Sequence, residues 1–150
     1  MDLQIDDFQR DAAAGLLMLY QAFPRKITLY VEDLIGHEEP DEFGLPSKRH
    51  QSCLAALLWL AEEGYLRFES NIQFLAIDQA VLTEKAFLRL TSAVPDVAQA
   101  SETLPPSVHR VHTSLAHQLR LALRDGHGER LARLTRRLFT LQLTLSAPAP

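Results

Sequence analysis

Four consecutive residues, Lys48 to Gln51, have side chains that suit contact with a nucleic acid. Ser47 precedes them and is a favoured helix N-cap residue, so we expect the four to form the first turn of a helix. Free N–H groups at a helix N-terminus bind phosphate, and the first side chains of a helix in the major groove reach base edges. Three basic residues on neighbouring elements would add phosphate contacts. The candidate DNA-binding residues are therefore Arg25, Lys26, Lys48, Arg49, His50, Gln51 and Arg67.

The other reactive side chains lack the spacing of a catalytic or metal site. His109, His112 and His117 fall on one predicted helix, but His117 lies well round that helix from His112, and a zinc ion needs three or four converging ligands. Cys53 lies one turn after His50, and without an orienting third group it is better interpreted as a small buried hydrophobe than as a nucleophile. No Gly-rich phosphate loop or nucleophile elbow is present. We therefore expect no enzymatic activity, no catalytic residues, no metal and no cofactor.

The composition indicates one domain, or one domain with an appended helical piece, in the cytoplasm. With 150 residues, 47% hydrophobic and 23% charged, the chain is long enough for a real core and has the balance of a soluble globular protein. Its acidic N-terminus lacks the apolar segment of a secretory signal, and its longest apolar run, Cys53 to Ala61, is too short to cross a bilayer. A single cysteine fits a reducing compartment. We expect a cytoplasmic protein that does not enter a membrane.

Charge is divided unevenly along the chain. Residues 1–96 contain 16 acidic and eight basic side chains, a balance of −8, whereas residues 97–150 contain three acidic and seven basic ones, a balance of +4. A surface that binds a phosphate backbone is normally basic, yet the predicted DNA-binding portion is the acidic one. Arginines of the basic portion are candidate salt-bridge partners for the acidic portion, in the same chain or in another copy: Arg130, Arg133, Arg136 and Arg137.

Apolar spacing and turn residues predict the elements that position these side chains. Apolar residues recur at helical spacing from about Asp6 to Phe23, and Pro24 ends that helix. Thr83 is a predicted N-cap for a helix from Glu84 to Ser92. The remaining predicted elements are a strand from Ile27 to Leu29, a short helix that ends at Gly36, a helix from Ser47 to Glu63 that is closed by Gly64, strands Tyr65–Phe68 and Ala80–Leu82, and a loop Glu69–Gln79 between those two strands.

The order of these elements, together with the motifs EEGYL and LTEKA, resembles the bacterial winged helix-turn-helix (MarR/PadR-like) transcriptional regulators over about residues 25–93. The resemblance implies a mainly α fold with a small β-hairpin, in which the helix from Ser47 reads DNA and the hairpin forms the wing. It also implies a non-enzymatic regulator that binds DNA as a dimer. The chain departs from the family at the long acidic loop around Glu38–Glu42 and at Ala86, where many members have glycine. The expected fold is a winged helix-turn-helix flanked by an N-terminal helix and a C-terminal helical hairpin.

The C-terminal third is predicted to form that hairpin, with a tight turn at Asp125–Gly128. Two heptads are too short to be stable alone, so the hairpin must dock on the domain or on a second copy. The expected divisions are a winged-helix domain over residues 1–95, a linker over 96–106, the hairpin over 107–146 and a disordered tail over 147–150. The expected dimerisation seam has the a/d spacing of a coiled coil and consists of Leu131, Leu134, Leu138, Leu141 and Leu145.

The outer side of the helix from Ser47 also fits a protein partner. With Cys53 and Leu60 on its inner side, its outer side carries apolar residues where a DNA-reading helix needs polar ones. Such a patch marks a protein interface or is covered by another helix of the same chain. The second hypothesis is therefore an adaptor that binds a protein and not DNA, and a homodimer is expected with either partner. Its candidate interface residues are Leu54, Leu58, Trp59 and Phe74.

Overall fold

Most of the chain is helical, and four short strands form one small antiparallel sheet, which confirms the expected fold class at this level. The structure is a computed structural model that describes residues 2–100 and 102–141. Over these ranges the elements are α1 (Leu3–Ala22), β1 (Ile27–Tyr30), α2 (Val31–Ile35), α3 (Lys48–Glu62), β2 (Leu66–Arg67), β3 (Ser70–Ile72), β4 (Ala76–Leu82), α4 (Glu84–Thr91), α5 (Pro95–Ala100), α6 (Pro106–Thr113), α7 (Leu115–Asp125) and α8 (Gly128–Thr140).

Helix α1 packs against α3 and also against α7 and α8. Ala12, Leu16 and Leu19 are buried at helical spacing along it. At Gly15 the backbone of α1 comes so close to α3 that a Cβ atom there would lie 2.8 Å from Cδ2 of Leu57. The absence of a side chain at this position therefore allows the two helices to approach each other.

Strand β4 is the centre of the sheet, with β1 along one edge and β2 and β3 along the other. The predicted loop Glu69–Gln79 is wrong, because β3 and the first part of β4 occupy most of it and leave Gln73–Leu75 as the turn. Ala76 and Ile77 are fully buried, so core packing extends the strand into the segment that was expected to connect the two strands.

Two predicted N-caps are confirmed. Ser47 Oγ accepts a hydrogen bond from the backbone N–H of His50 at 3.0 Å and begins α3. Thr83 Oγ1 accepts one from the N–H of Ala86 at 3.3 Å and begins α4. Gly64 lies just beyond α3 at φ +80°, in the left-handed conformation that commonly ends a helix.

The C-terminal part differs from the predicted hairpin at its start. The expected linker contains α5, and the expected first helix is broken at Ser114 into α6 and α7. Ser114 has extended backbone angles, forms a β-bridge with Ala93 and caps α7 by accepting a hydrogen bond from the N–H of His117. This local cap overrides the apolar spacing that predicts one continuous helix through Val108, Val111, Leu115, Leu119 and Ala122. Helices α7 and α8 do form an antiparallel pair, with Gly126 at φ +67° between them.

The leucines of α8 pack inside the same chain. Leu131, Leu134 and Leu138 belong to the hydrophobic core, and α8 contacts both α1 and α7. Leu141 is half-buried. The seam expected to join two copies is therefore largely occupied by the chain itself. Leu145 and the predicted tail over 147–150 lie outside the described residues.

Candidate functional site

Arg49, in the first turn of α3, is paired with α1. Its Nη1 and Nη2 atoms each lie 2.6 Å from one carboxylate oxygen of Asp11, and its Nε atom lies 3.8 Å from Asp7. Asp11 is only 2% exposed. Hydrogen bonding to Asp11 raises the pKa of Arg49. This cation neutralises a buried carboxylate, so the predicted DNA contact is engaged inside the chain.

His50 is buried beside the turn between β3 and β4. The residue is 6% exposed, and its Nε2 atom lies 2.6 Å from the carbonyl oxygen of Phe74. A carbonyl oxygen only accepts hydrogen bonds, so Nε2 is the donor. This second predicted DNA contact therefore ties α3 to the sheet.

The remaining members of the predicted DNA-binding set are at the surface, and two of them contact other parts of the chain. Lys26 Nζ lies 3.3 Å from Glu69, and the Gln51 amide donates to a backbone carbonyl of the loop before α3 at 2.9 Å. That loop contains the four carboxylates of Glu38–Glu42, which repel phosphate. The exposed members are Arg25, Lys26, Lys48, Gln51 and Arg67.

An apolar groove lies between α1 and α3, beside Trp59. Trp59 is 38% exposed, and its ring makes edge-on contacts with Phe8 at 5.2 Å and Phe139 at 5.5 Å between centroids. Sequence reasoning missed both phenylalanines: Phe8 was visible only as part of the apolar spacing of α1, and no local signal links Phe139 to Trp59. The cavity has a volume of about 420 Å³, and this α1–α3 groove is lined by Gln4, Phe8, Asp11, Ser52, Ala55, Ala56 and Trp59.

The predicted protein-interface residues are divided between core and surface. Leu54 is buried in the core and Leu58 is half-buried, so the expected apolar strip on α3 is reduced to Trp59. Coverage by the same chain, one of the two alternatives for that strip, accounts for Leu54. Phe74 is exposed in the turn between β3 and β4.

Cys53 and the histidines of the predicted helix lie on different elements, Cys53 on α3 and the histidines on α6 and α7. Cys53 is fully buried, and burial together with nearby Asp11 raises the pKa of its thiol to about 12. The rings of His112 and His117 lie 5.5 Å apart between centroids. Across the described ranges, no group of three or more His, Cys, Asp or Glu residues is placed to hold a metal ion.

Comparison of the chain with protein families, with curated proteins and with solved structures gives no match. None of the helices within residues 2–100 and 102–141 combines the length and the apolar character needed to cross a bilayer.

Proposed function

We propose that this chain is a non-enzymatic winged-helix module whose α1–α3 groove binds an apolar segment of a partner protein. One observation on α3 carries the proposal: Arg49 and His50 are engaged inside the chain, while the groove beside Trp59 is open. A DNA-reading helix needs its first-turn side chains for phosphates and base edges. An open apolar groove beside a partly exposed indole suits a protein partner.

The order and pairing of the elements support the winged-helix interpretation. Helix α1, strand β1, helices α2 and α3 and the remaining strands follow one another as in that fold, with β4 between β1 and β2. In this interpretation α2 and α3 are the helix-turn-helix, the strands after α3 form the wing, and Gln73–Leu75 is its tip. The tip is short, contains no Lys or Arg, and is hydrogen-bonded to α3 through His50.

The residues around the groove define the chemistry of its partner. Phe8, Ala55 and Trp59 offer an apolar lining, and no Lys or Arg is among the lining residues in the described part of the chain. Asp7, adjacent to Phe8, lies close to Arg49 and Arg10, whereas Glu62, about one turn after Trp59, is exposed. An amphipathic helix with one apolar face, and with a Lys or Arg at the end that meets Glu62, fits the lining and the charge of this groove.

The single tryptophan of the chain allows a direct test. Peptides selected from a displayed library of basic amphipathic helices should shift the emission of Trp59 to shorter wavelength, because the occupant removes water from the indole. Ala55→Arg, at an exposed position in the groove, should weaken their binding by about tenfold or more by filling the groove, a loss of about 1.4 kcal/mol. Gln51→Arg is the matched control, since it adds the same side chain to an exposed position of α3 outside the groove. Peptides that bind the Ala55→Arg variant as well as the wild type would reject the groove.

DNA binding by a dimeric transcriptional regulator is the second candidate, favoured by the exposure of Lys48 and Gln51 at the start of α3. Fluorescence anisotropy with a pool of random duplexes, titrated with salt, tests it. Binding that weakens steeply with salt and is lost in Lys48→Glu, but not in the control Lys85→Glu, would support this function. We expect flat anisotropy down to low salt, because residues 1–96 carry a charge of −8.

A further inference from the structure

A second groove, lined by α6 and α7, combines positive charge with an apolar wall. Arg110, His117 and Arg120 line a cavity of about 170 Å³ together with Tyr20 and Val111. Val111 is 61% exposed. Neither exposed arginine, Arg110 nor Arg120, makes a salt bridge within the residues that the structure describes. This α6–α7 groove therefore suits a ligand that carries both negative charge and an apolar side chain.

The basic side chains of the groove are close enough to affect one another. Burial lowers the pKa of His117, and the charges of His112, Arg120 and Arg124 lower it further. Like charges held together at a surface repel one another, and a negatively charged partner relieves that repulsion. A lowered pKa favours neutral His117, so Arg110 and Arg120 are the positive charges that an anionic group meets in this groove.

The loop between α2 and α3, residues 37–46, has the complementary chemistry, and we call it the acidic loop. Phe43 within it is 78% exposed. Asp41 Oδ1 accepts hydrogen bonds from the backbone N–H groups of Phe43 at 2.9 Å and Leu45 at 2.8 Å, which hold this part of the loop in a defined turn. Glu39 and Glu42 are exposed nearby. The loop therefore presents an aromatic ring among carboxylates.

We propose that Phe43 and the neighbouring carboxylates of one copy dock in the α6–α7 groove of a second copy. The charges are complementary, because the loop belongs to the portion of the chain with a balance of −8 and the groove to the portion with +4. A cavity of about 150 Å³ holds a benzene ring, so the volume of this groove suits the ring of Phe43. Phe43 is largely exposed to solvent within one chain, so its ring is free to contact a second copy.

This contact differs from the seam expected between copies, since the leucines of α8 are buried in their own chain. Two copies can make the contact twice, each placing its acidic loop in the groove of the other, which closes a dimer with two-fold symmetry. The charged side chains lie at the surface, so the association weakens as salt screens them.

Sedimentation velocity of the full chain, at low and at high salt, tests the proposal. The wild-type chain sediments as a dimer at low salt and dissociates at high salt. Arg110→Glu/Arg120→Glu in the groove and Glu39→Arg/Glu42→Arg in the loop each give monomers, because like charges then face one another. Mixed in equal amounts, the two variants form a dimer, because every loop then meets a groove of opposite charge.

Two further variants separate this contact from a general effect of charge. Arg133→Glu/Arg136→Glu makes the same change on the exposed side of α8 and leaves the dimer intact. Phe43→Ala raises the dissociation constant of the dimer by about tenfold or more, because it removes the ring that fills the groove.

A wild-type chain that is monomeric at low salt, a mixture of the two variants that stays monomeric, or equal loss of the dimer in the α8 variant overturns the proposal. Duplex binding that is lost only in the groove variant, in a chain that stays monomeric, would assign the groove to nucleic acid instead. Peptide binding at Trp59 is read by emission and not by mass, so the partner-binding function and this contact fail independently.

Discussion

Asp11 of α1 and Arg49 of α3 form a bidentate ion pair in which both guanidinium Nη atoms donate to the carboxylate at 2.6 Å. The carboxylate is almost fully buried, whereas the guanidinium is about a quarter exposed. The pair joins the first helix to the third, next to the close approach at Gly15. It engages a basic side chain from the first turn of α3 inside the chain.

Removing one partner of this pair should be costly. Arg49→Leu leaves the Asp11 carboxylate buried without its cation, and we expect the free energy of unfolding in urea to fall by about 3–5 kcal/mol. Arg10→Leu is the matched control, since Arg10 is exposed and lies 3.9 Å from Asp7, and it should change stability by less than about 1 kcal/mol. The double variant Asp11→Leu/Arg49→Leu should recover most of the loss. A loss below about 1 kcal/mol in Arg49→Leu would contradict a structural role for the pair.

Cys53 should be inert while the chain is folded. Burial raises the pKa of its thiol to about 12, and only the thiolate reacts with disulfide reagents. At pH 8 we therefore expect labelling at the rate at which the chain unfolds, and much faster labelling in denaturant. Ser52→Cys in a Cys53→Ala chain is the control, because residue 52 is the exposed neighbour on the same helix and should react at once. Rapid labelling of Cys53 without denaturant would show that α3 opens readily.

His37 connects α2 to the acidic loop and should titrate above the ordinary range. Its Nδ1 lies 2.8 Å from Glu32 and its Nε2 lies 3.1 Å from Glu39, and these carboxylates raise the pKa of His37 above 6.5, chiefly through the hydrogen bond with Glu32. Because the folded value is the higher one, the stabilising contribution is fully present below pH 6.5 and is lost as the pH rises through the raised pKa. In an NMR titration of the ring, Glu32→Gln should lower this pKa more than Glu39→Gln does. Equal values in all three proteins would exclude the bridge.

The starts of α3 and α4 were predictable from the sequence because each depends on a few neighbouring residues. Ser47 and Thr83 cap α3 and α4 as expected, and Cys53 and Leu60 are buried as the spacing of α3 indicates. Ser114 shows the limit of such reasoning, because apolar spacing continues through it and only its hydrogen bond to the start of α7 reveals the break.

The candidate site could not be predicted to the same extent because it depends on pairing between distant segments. Lys48 and Arg49 are equivalent cations in the sequence, and only the fold shows that Arg49 meets Asp11 on another helix while Lys48 is exposed. His50 likewise meets the carbonyl of Phe74 only once β3 and β4 have paired. The α1–α3 groove has no sequence signature, since it consists of the space between two helices.

Arg89 should hold the end of α8 to the rest of the chain. Its Nη1 atom lies 3.0 Å from the hydroxyl oxygen of Tyr65 and donates to the backbone carbonyls of Leu138 at 2.9 Å and Phe139 at 3.3 Å. The last carbonyls of a helix lack partners within it, and a cation at that end also interacts favourably with the helix dipole. Arg89→Met keeps the apolar stem and removes the donors, so we expect a loss of about 1.5–3 kcal/mol in the free energy of unfolding. Arg136→Met, on the exposed side of α8, should lower the free energy of unfolding by less than about 0.5 kcal/mol.

The destabilisation caused by Arg89→Met should affect α8 before it affects the other helices. Amide hydrogen exchange should accelerate first in α8, because the freed carbonyls at its end allow it to fray, while the amides of α1 and α3 keep most of their protection. Since Phe139 packs against both Trp59 and Phe8, fraying of α8 should also raise the solvent exposure of the indole and shift its emission to longer wavelength. Uniform acceleration across all helices would instead mean that α8 and the other helices open only together.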